Sequence, residues 1–346
     1  MLVAPLNWGL GHATRCVPII QALIKEGFEP VLASDGNALL LLKKEFPFLK
    51  SYTLPSYNIK YSKSGNNLKL KLLLSTPFIL SAVKKEKKIV AQIIEKENIK
   101  GIISDNRFGV FSNTIPSVYV THQLNVLSGK TTFITSKIHR TIIAKYNECW
   151  VPDFENKSNF SGILGHLENK SLDIKYLGIL SRLKPFKSEI KYDIMVLLSG
   201  PEPQRTTLEN KLLIELQNHS GKILFVRGVL NDSKEIIEPH NFEVVNYLGT
   251  EPLEKAINQS NLIIARSGYS TIMDLAVLGK KAFFIPTSGQ FEQEYLAESL
   301  QNKGISPFSN QQDFTIKKLE ILEKYSGFTT YKNKLDLKIF SLFKSE

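Results

Sequence analysis

Short apolar runs alternate with helix-length amphipathic stretches along most of this chain, which is typical of parallel strand–helix units. The stretch 12–26 places Val17, Ile20 and Ile24 at helical spacing and ends before Gly27, so it predicts the first helix. Apolar runs in the first half predict strands at residues 2–6, 30–34, 99–104, 117–121 and 148–151.

The second half repeats this pattern after a polar, loop-rich stretch at 152–190. Strands are predicted at 192–198, 222–226, 243–247, 261–265 and 281–285, and helices at 207–218, 253–259, 270–278 and 290–303. We therefore predict an α/β fold of two Rossmann-like domains, residues 1–180 and 181–346, whose parallel sheets face a central cleft. Whether the last helix returns to the N-terminal domain stays open. Ligands of such sheets bind beyond the carboxyl ends of the strands.

The composition supports two domains, because 346 residues exceed one ordinary core. No apolar run approaches the roughly 18 residues of a membrane span, and the first residues lack a secretion pattern. These features predict a cytoplasmic protein, with the inner face of the membrane as the alternative location. Cys16 and Cys149 stand alone in apolar contexts and are interpreted as buried free thiols rather than zinc ligands.

The net charge is +11, and much of the excess lies in residues 58–100, which hold ten lysines against three glutamates. This segment predicts either a solvated helix face or a contact with an anionic membrane or an anionic acceptor. Nucleic acid is disfavoured as a partner, because the segment has no arginine and its aromatic residues do not interleave with the charge.

The strongest chemical signal lies in residues 262–294, which predict a strand, a small-residue turn, a helix, a strand and a polar loop. A helix N-terminus with small residues and a cation favours an anion. Asp274, one turn into the helix, would hold ribose hydroxyls, and the polar loop offers hydrogen-bonding groups for a sugar. The candidate phosphate ligands are Arg266, Ser267, Gly268, Ser270 and Thr271, joined by Arg205 from a second loop. The candidate sugar ligands are Gln290, Gln293 and Glu294.

A second group of candidates follows strands of the first half. Gly11 and His12 open the first helix, Asp105 follows a strand, and His122 and Asn125 follow the next one. An imidazole with a pKa near neutrality suits a general base, so His12 is the first candidate and Asp105 the second. A dinucleotide fingerprint would need glycine at position 14, where this chain has threonine, which argues against an NAD enzyme.

These motifs together resemble glycosyltransferase family 28, the MurG-like UDP-sugar transferases. The likeness runs in order over most of the chain and is concentrated in Arg266–Gly279, Ile285-Pro286 and Gln293-Glu294. It implies a GT-B fold with the acceptor on the side of the N-terminal domain and the nucleotide-sugar donor in the C-terminal domain. It also implies an inverting transfer that needs no metal and no cofactor. By position, backbone near Leu248 would contact the base, and Asp274 stands where the family usually has glutamate.

The resemblance leaves alternatives to a glycosyltransferase open. The start Gly-His-x-x-Arg-Cys is also similar to a nucleotide-sugar hydrolase of pseudaminic acid synthesis, and a non-catalytic nucleotide-sugar-binding protein is a third hypothesis. The acceptor is unknown. Segment 58–100 would suit binding of a lipid-linked or anionic acceptor. His122 and Asn125 are expected on the acceptor side, and Glu294 is the position where the identity of the sugar is most open.

Overall fold

The structure is a computed structural model that describes residues 1–57, 68–168, 171–229, 240–332 and 335–344, with backbone alone for 68–77. The chain divides into two compact units. The N-terminal unit comprises the described residues of Met1–Ser62, Asn67–Arg182 and Asn333–Glu346, and the C-terminal unit comprises those of Leu183–Lys332. Each unit is built on its own parallel sheet.

The N-terminal unit contains a seven-stranded sheet of order β3-β2-β1-β4-β5-β6-β7, in which all described pairings are parallel. Its strands are β1 (Leu2–Pro5), β2 (Val31–Ser34), β3 (Ser51–Thr53), β4 (Ile102–Asp105), β5 (Ser117–Val120), β6 (Glu148–Val151) and β7 (Ile174–Tyr176). Its α-helices are α1 (Gly11–Lys25), α2 (Gly36–Glu45), α3 (Leu68–Lys96) and α4 (Thr132–Ile143). The central strands are buried along their whole length, as expected of a sheet covered on both faces.

The C-terminal segment contributes to the core of the N-terminal unit. The 3-10 helix Leu337–Phe343 places Phe340 and Phe343 in the same apolar cluster as Trp150 of β6. The ring centroids of these phenylalanines lie 5.9 and 6.0 Å from that of Trp150. Burial of both phenylalanine rings stabilises this return of the chain by the removal of apolar surface from water.

The C-terminal unit contains a five-stranded parallel sheet of order β10-β9-β8-β11-β12. Its strands are β8 (Tyr192–Leu197), β9 (Ile223–Val226), β10 (Phe242–Val245), β11 (Ser260–Ala265) and β12 (Lys281–Phe284). Its α-helices are α5 (Gln204–Leu216), α6 (Thr250–Asn258), α7 (Tyr269–Leu278) and α8 (Phe291–Asn302), and a 3-10 helix spans Ile316–Lys324.

The predicted fold class, two parallel-sheet α/β units of the GT-B type, is confirmed. Every strand and helix predicted from the apolar pattern is present, with ends within three residues of the prediction. The pattern missed α2, whose leucine run lacks a clear polar face, and the short edge strands β3 and β7, which are only partly buried. It also missed α4, and the first ten residues of segment 58–100 lie outside the described residues.

Both sheets reverse their strand order at a central strand. β1 lies between β2 and β4, and β8 lies between β9 and β11, so consecutive helices leave on opposite faces. In such sheets the crevice beyond the carboxyl ends of the two central strands is the usual ligand site. The loops after β1 and β4, and those after β8 and β11, therefore carry the candidate chemistry.

Candidate active site

Four polar side chains meet at the carboxyl edge of the N-terminal sheet. Asp105 is the last residue of β4 and pairs in register with Pro5, the last residue of β1. The loop after β1 leads to α1, which carries His12 and Arg15 one turn apart on one face. His122 follows β5, the neighbour of β4 on the other side. We name these residues the His–Asp cluster: His12, Arg15, Asp105 and His122.

Hydrogen bonds connect the whole His–Asp cluster. His12 Nδ1 lies 2.7 Å from Asp105 Oδ1, and the Arg15 guanidinium binds both carboxylate oxygens of Asp105 through Nε and Nη2. Arg15 Nη1 lies 2.8 Å from His122 Nδ1. His12 uses Nδ1 for all its hydrogen bonds to described residues, which leaves its Nε2 unengaged by them. The His12 side chain is 13% exposed, whereas Asp105 is fully buried.

The electrostatics of the cluster favour a charged Asp105 beside a neutral His12. Burial raises the pKa of Asp105, but the charges and hydrogen bonds of Arg15 and His12 outweigh it and hold that pKa at about 2. Burial, and then the Arg15 charge, lower the pKa of His12 below 6.5, with Asp105 opposing them. A neutral imidazole oriented by a carboxylate is the arrangement of a general base.

A buried ion network stabilises the loop that follows Asp105. Arg107 is fully buried, donates from Nε to the Pro5 carbonyl at 3.0 Å, and binds Glu86 Oε1 from Nη1 at 2.6 Å and Asp35 from Nη2. Tyr57 Oη donates to the other oxygen of Glu86 at 2.7 Å. The network ties β1, β2 and α3 to the end of β4. Sequence reasoning missed it and also missed Arg15 as a partner of Asp105, although the i, i+3 spacing of His12 and Arg15 was a usable signal.

Asn125 lies in the N-terminal unit, where its side chain is hydrogen-bonded to protein groups. Its Nδ2 donates to the carbonyls of Ile163 and His166 at 2.7 and 3.2 Å, and its Oδ1 accepts from Arg140 of α4 at 3.0 Å. The amide therefore connects a turn to a helix inside the N-terminal unit. His122, by contrast, joins the His–Asp cluster as described above.

The loop after β11 leads directly into the N-terminus of α7. Gly268 is the N-cap, Ser270 and Thr271 lie in the first turn, and no acidic residue occurs there. The N-terminal backbone N–H groups of a helix carry a partial positive charge and favour an anion. Gly11 similarly opens α1 in the other unit.

Arg266 lies inside the C-terminal unit rather than on its surface, which corrects its expected direct contact with a diphosphate. Its side chain is 1% exposed. Nη1 donates to the carbonyls of Ile285 and Pro286, both at 3.0 Å, and Nη2 donates to the Gln204 carbonyl at 2.9 Å and to Gln311 Oε1 at 2.7 Å. All four acceptors are neutral, and burial lowers the Arg266 pKa to about 10. Arg266 therefore connects the segments that carry Gln204, Ile285 and Gln311, and no carboxylate among the described residues pairs with its charge.

Arg205 is also placed differently from the prediction. The predicted phosphate ligand is 5% exposed, binds Glu202 Oε1 from Nε at 2.6 Å and binds Glu209 from Nη1. Glu209 additionally accepts from Arg227 at 3.0 and 3.1 Å. Arg205 and Arg227 thus share a buried carboxylate between α5 and β9, so Arg205 is a structural cation in this unit.

The predicted sugar ligands form a network between the loop after β12 and the first turn of α8. Thr287 N donates to Gln293 Oε1 at 2.9 Å, and Gly289 N donates to Glu294 Oε1 at 2.8 Å. Gln293 Nε2 donates to Gln290 Oε1, and Ser267 Oγ donates to the Gln293 carbonyl at 2.7 Å. The network joins the loops after β11 and β12. Asp274 is half-buried on α7 and Leu248 is half-buried in the loop before α6.

Within the described part of the chain, no cluster of three or more histidine, cysteine or acidic side chains could hold a metal ion. Cys16 and Cys149 are both buried free thiols, as predicted. Across the same residues, the helices all fall short of the length and apolar character that a bilayer span needs.

Comparisons with known proteins find similarity to glycosyltransferases. Residues 204–325 match the glycosyltransferase family 28 C-terminal domain. The chain is 22% identical over 321 residues to the UDP-N-acetylglucosamine–N-acetylmuramyl-(pentapeptide) pyrophosphoryl-undecaprenol N-acetylglucosamine transferase of Haemophilus ducreyi, covering 89% of this chain and 84% of the relative. An uncharacterized glycosyltransferase of Methanosarcina mazei is 24% identical over 334 residues, covering 86% and 82%.

Solved structures share the fold at low sequence identity. The calicheamicin glycosyltransferase superposes with a TM-score of 0.64 at 9% identity, covering 94% of this chain and 89% of that one. The spinosyn rhamnosyltransferase complexed with thymidine diphosphate gives a TM-score of 0.61 at 13% identity, covering 93% and 91%. More than nine tenths of this chain is covered in each case, so the likeness extends over both units.

Proposed function

We propose that this chain, whose relatives are glycosyltransferases and whose fold is of the GT-B type, moves a sugar from a UDP-sugar to an acceptor hydroxyl. The transfer inverts the anomeric carbon and needs no metal ion. The observation that carries this proposal is the 2.7 Å contact of His12 Nδ1 with the buried Asp105 at the carboxyl edge of the N-terminal sheet, where burial and Arg15 lower the pKa of His12. Such an imidazole is suited to take the proton of an attacking hydroxyl.

The reaction is a single displacement. The acceptor oxygen forms the new bond to the anomeric carbon, its proton passes to His12 Nε2, and the bond to the diphosphate breaks with the electron pair on the leaving oxygen. Attack opposite the leaving group inverts the configuration. Asp105 cannot be the base itself, because its pKa of about 2 leaves it a weak proton acceptor near neutrality. It orients His12 and stabilises the imidazolium that forms.

The C-terminal unit holds the donor. The N-terminus of α7, with the Thr271 hydroxyl in its first turn, binds the diphosphate, and Asp274 binds the ribose hydroxyls. Arg266 acts without direct contact. Its charge is buried, its acceptors among the described residues are all neutral, and it raises the local potential where leaving-group charge develops. Backbone near Leu248 contacts the base, and the loop of Gln290, Gln293 and Glu294 contacts the sugar.

The experiment that tests this function pairs donor binding with turnover. Calorimetry with UDP, dTDP and GDP, followed by UDP-sugars, identifies the base and the sugar. Release of free sugar from the bound donor in water, at a rate that an added acceptor does not change, would support the hydrolase alternative and contradict transfer. Donor binding without either reaction, across a panel of lipid-linked and soluble acceptors, would support the non-catalytic alternative.

Thr271→Val should weaken donor binding. The variant removes one hydroxyl that donates to a charged phosphate oxygen, a contact that contributes about 1.5–3 kcal/mol. The expected result is a rise in the Kd for UDP of roughly ten- to a hundredfold, measured by calorimetry. Thr141→Val is the matched control, because Thr141 is an exposed threonine of α4 whose hydroxyl donates to a carbonyl in its own helix. An unchanged Kd in Thr271→Val would remove the first turn of α7 from the donor site.

We also propose that the N-terminal unit contacts an anionic membrane surface, through α3 and α4. Lys84, Lys85, Lys87 and Lys88 are all exposed on α3, whereas Glu86 among them is buried against Arg107. Large apolar side chains are exposed on both helices: Phe78 and Leu80 on α3, and Phe133, Ile134 and Ile138 on α4. Such apolar residues beside lysines suit an anionic bilayer surface, where a lipid-linked acceptor would lie.

The two exposed faces belong to neighbouring helices, because both helices pack around Phe108. Phe108 lies in an apolar cluster with Ile79 and Val83 of α3. Its ring also contacts the His139 ring of α4 in an edge-on arrangement at 6.1 Å. The two helices are therefore neighbours in the N-terminal unit, and we propose that their exposed apolar side chains and lysines contact one membrane surface together.

Phe133→Ser combined with Ile138→Ser should reduce binding to anionic vesicles. Fully burying one such side chain contributes about 1.5–3 kcal/mol, so even partial insertion of two predicts a loss of about tenfold or more. The measurement is cosedimentation with phosphatidylglycerol-containing vesicles, which should also weaken as salt increases. Ile214→Ser is the control, since Ile214 is 65% exposed on α5 of the other unit. Equal binding by the double variant and the wild type would contradict this surface.

A further inference from the structure

Arg15 touches each of the other three members of the His–Asp cluster. It lies on α1, is 3% exposed, and binds Asp105 side-on through Nε and Nη2. Its Nη1 lies 2.8 Å from His122 Nδ1, and its Nη2 lies 2.8 Å from His12 Nδ1. A guanidinium only donates hydrogen bonds, and a charged carboxylate only accepts them. The positions of these two groups therefore decide which nitrogen of each imidazole carries a proton.

His12 carries its proton on Nδ1. That nitrogen lies 2.7 Å from Asp105 Oδ1, which holds no proton to donate. A bare Nδ1 would put its lone pair against a charged oxygen, whereas an Nδ1–H group donates to that oxygen in a charge-assisted hydrogen bond. Arg15 Nη2 and Asn106 Nδ2 also lie 2.8 and 3.4 Å from this nitrogen, and Arg15 Nη2 donates to the same Asp105 oxygen. The contact with the charged oxygen is the shortest of the three and the only one with an acceptor, so the carboxylate decides the tautomer. Nε2 of His12 is then the bare nitrogen.

His122 carries its proton on the opposite nitrogen. Its Nδ1 lies 2.8 Å from the Nη1 group of Arg15, which only donates. An Nδ1–H group at that position would place two N–H groups against each other. Nδ1 of His122 is therefore the acceptor, and the proton of the neutral ring lies on Nε2.

We propose that Arg15 is the positioning residue of the reaction, which together with Asp105 holds His12 and His122 in opposite tautomers, so that only His12 can act as the base. His122 cannot replace it, because its bare nitrogen is engaged by Arg15 and its other nitrogen is already protonated. This inference rests on the proposed function for its meaning, but the tautomers themselves are measurable without turnover.

The charge of Arg15 also tunes His12. The groups that face His12 are Arg15 from its own helix, Asp105 from β4, and His122 after β5, with the neutral Cys16 thiol near Asp105. Arg15 lowers the pKa of His12 and Asp105 raises it. Removal of the guanidinium takes away its lowering effect on the pKa of His12, whereas the raising effect of Asp105 remains, so the pKa of His12 rises. The neutral base form is then lost at a higher pH than in the wild type.

The direct test is nitrogen NMR of protein labelled at the imidazole nitrogens. Protonated and bare imidazole nitrogens have well separated shifts, and the chain has only six histidines. His12→Gln and His122→Gln assign the two rings. At pH 8, the wild type should show a protonated Nδ1 in His12 and a protonated Nε2 in His122. In Arg15→Met, His12 should keep its protonated Nδ1, whereas the two nitrogen shifts of His122 should become averaged between its two tautomers.

Two further variants make the spectra decisive. Arg15→Lys retains a cation without the planar pair of donors, and it substitutes for Arg15→Met if that variant does not fold. It should also average the His122 tautomer. Arg182→Lys is the control, because Arg182 is another buried arginine of the same unit, paired with Glu45 at 3.0 Å. It should leave both spectra unchanged. The same tautomer on both rings of the wild type, or unchanged rings in both Arg15 variants, would overturn the inference.

Kinetics supply the second measurement. In Arg15→Met, kcat/KM should fall more at pH 6 than at pH 8, because the acid limb of its profile moves to higher pH. A uniform loss at all pH values would overturn the tuning of His12 by Arg15. Opposite tautomers in the spectra, together with no transfer from any nucleotide-sugar, would leave the inference standing and contradict the proposed function instead.

Discussion

His12→Gln lowers kcat for sugar transfer by about 10²–10⁴-fold, the usual contribution of a positioned general base, while the Kd for the donor stays unchanged. The loss arises because glutamine keeps a polar group at the site but cannot take the acceptor proton. Steady-state kinetics with the identified donor and acceptor measure the first quantity, and calorimetry measures the second. His240→Gln, at an exposed histidine of the other unit, is the control and should retain full activity.

The pH profile of the wild type provides a second measurement of the same base. Burial and Arg15 lower the pKa of His12 below 6.5, so its neutral form persists into mildly acidic solution. The acid limb of kcat/KM should therefore lie below pH 6.5 and disappear with His12. Asp105→Asn should also lower kcat, because an amide can present a donor to Nδ1 and favour the wrong tautomer. Full activity in His12→Gln would remove this residue from the mechanism.

Arg266→Met lowers the free energy of unfolding of the C-terminal unit by about 3 kcal/mol. The substitution leaves four buried acceptors without their donor, at about 1–3 kcal/mol each, and the removal of a desolvated charge offsets part of that loss. Urea unfolding measures the change. The Kd for UDP should also rise about tenfold, which corresponds to about 1.4 kcal/mol.

Arg266→Lys separates the two roles of this residue. Lysine keeps the buried cation but lacks the planar donors, so it should restore part of the donor affinity and little of the stability. Lys255→Met, which removes an exposed cation of α6, is the control and should change neither quantity. If Arg266→Met matched the wild type in both measurements, the buried hydrogen bonds would contribute no net stability and the charge would not act on the donor.

Local pattern was sufficient to predict much of the fold. The strand at 261–265 and the helix at 270–278 follow from an uninterrupted apolar run, a small-residue turn and a terminal glycine, all of which act over a few residues. The edge strands β3 and β7 escaped prediction because they are only three residues long and partly buried, so neither forms a clear apolar run. The leucine run of α2 escaped because its polar face is too short to show a period.

The sequence predicted which residues belong to the candidate site better than it predicted the contacts between them. His12, Asp105 and His122 each follow a strand of the same sheet, so their meeting at its carboxyl edge follows from the order of the strands. Their hydrogen bonds do not, because Arg15 and Asp105 are 90 residues apart in sequence. For Arg266, the sequence prediction was misleading. A cation at the start of a helix is expected to bind a ligand at the surface, and only the structure shows that its hydrogen-bond acceptors are protein groups in the interior.

The sequence by itself determined that this protein has two parallel α/β units, that glycine-rich or small-residue turns precede key helices, and that the chain resembles family 28. Those properties depend on local propensity and on the period of the apolar positions. Only the tertiary structure decided that Asp105 lies within hydrogen-bond distance of His12 and binds Arg15, and that Arg205, Arg266 and Asn125 bind protein groups. The reason is that pKa values and hydrogen-bond partners depend on burial and on distances between segments far apart in the chain.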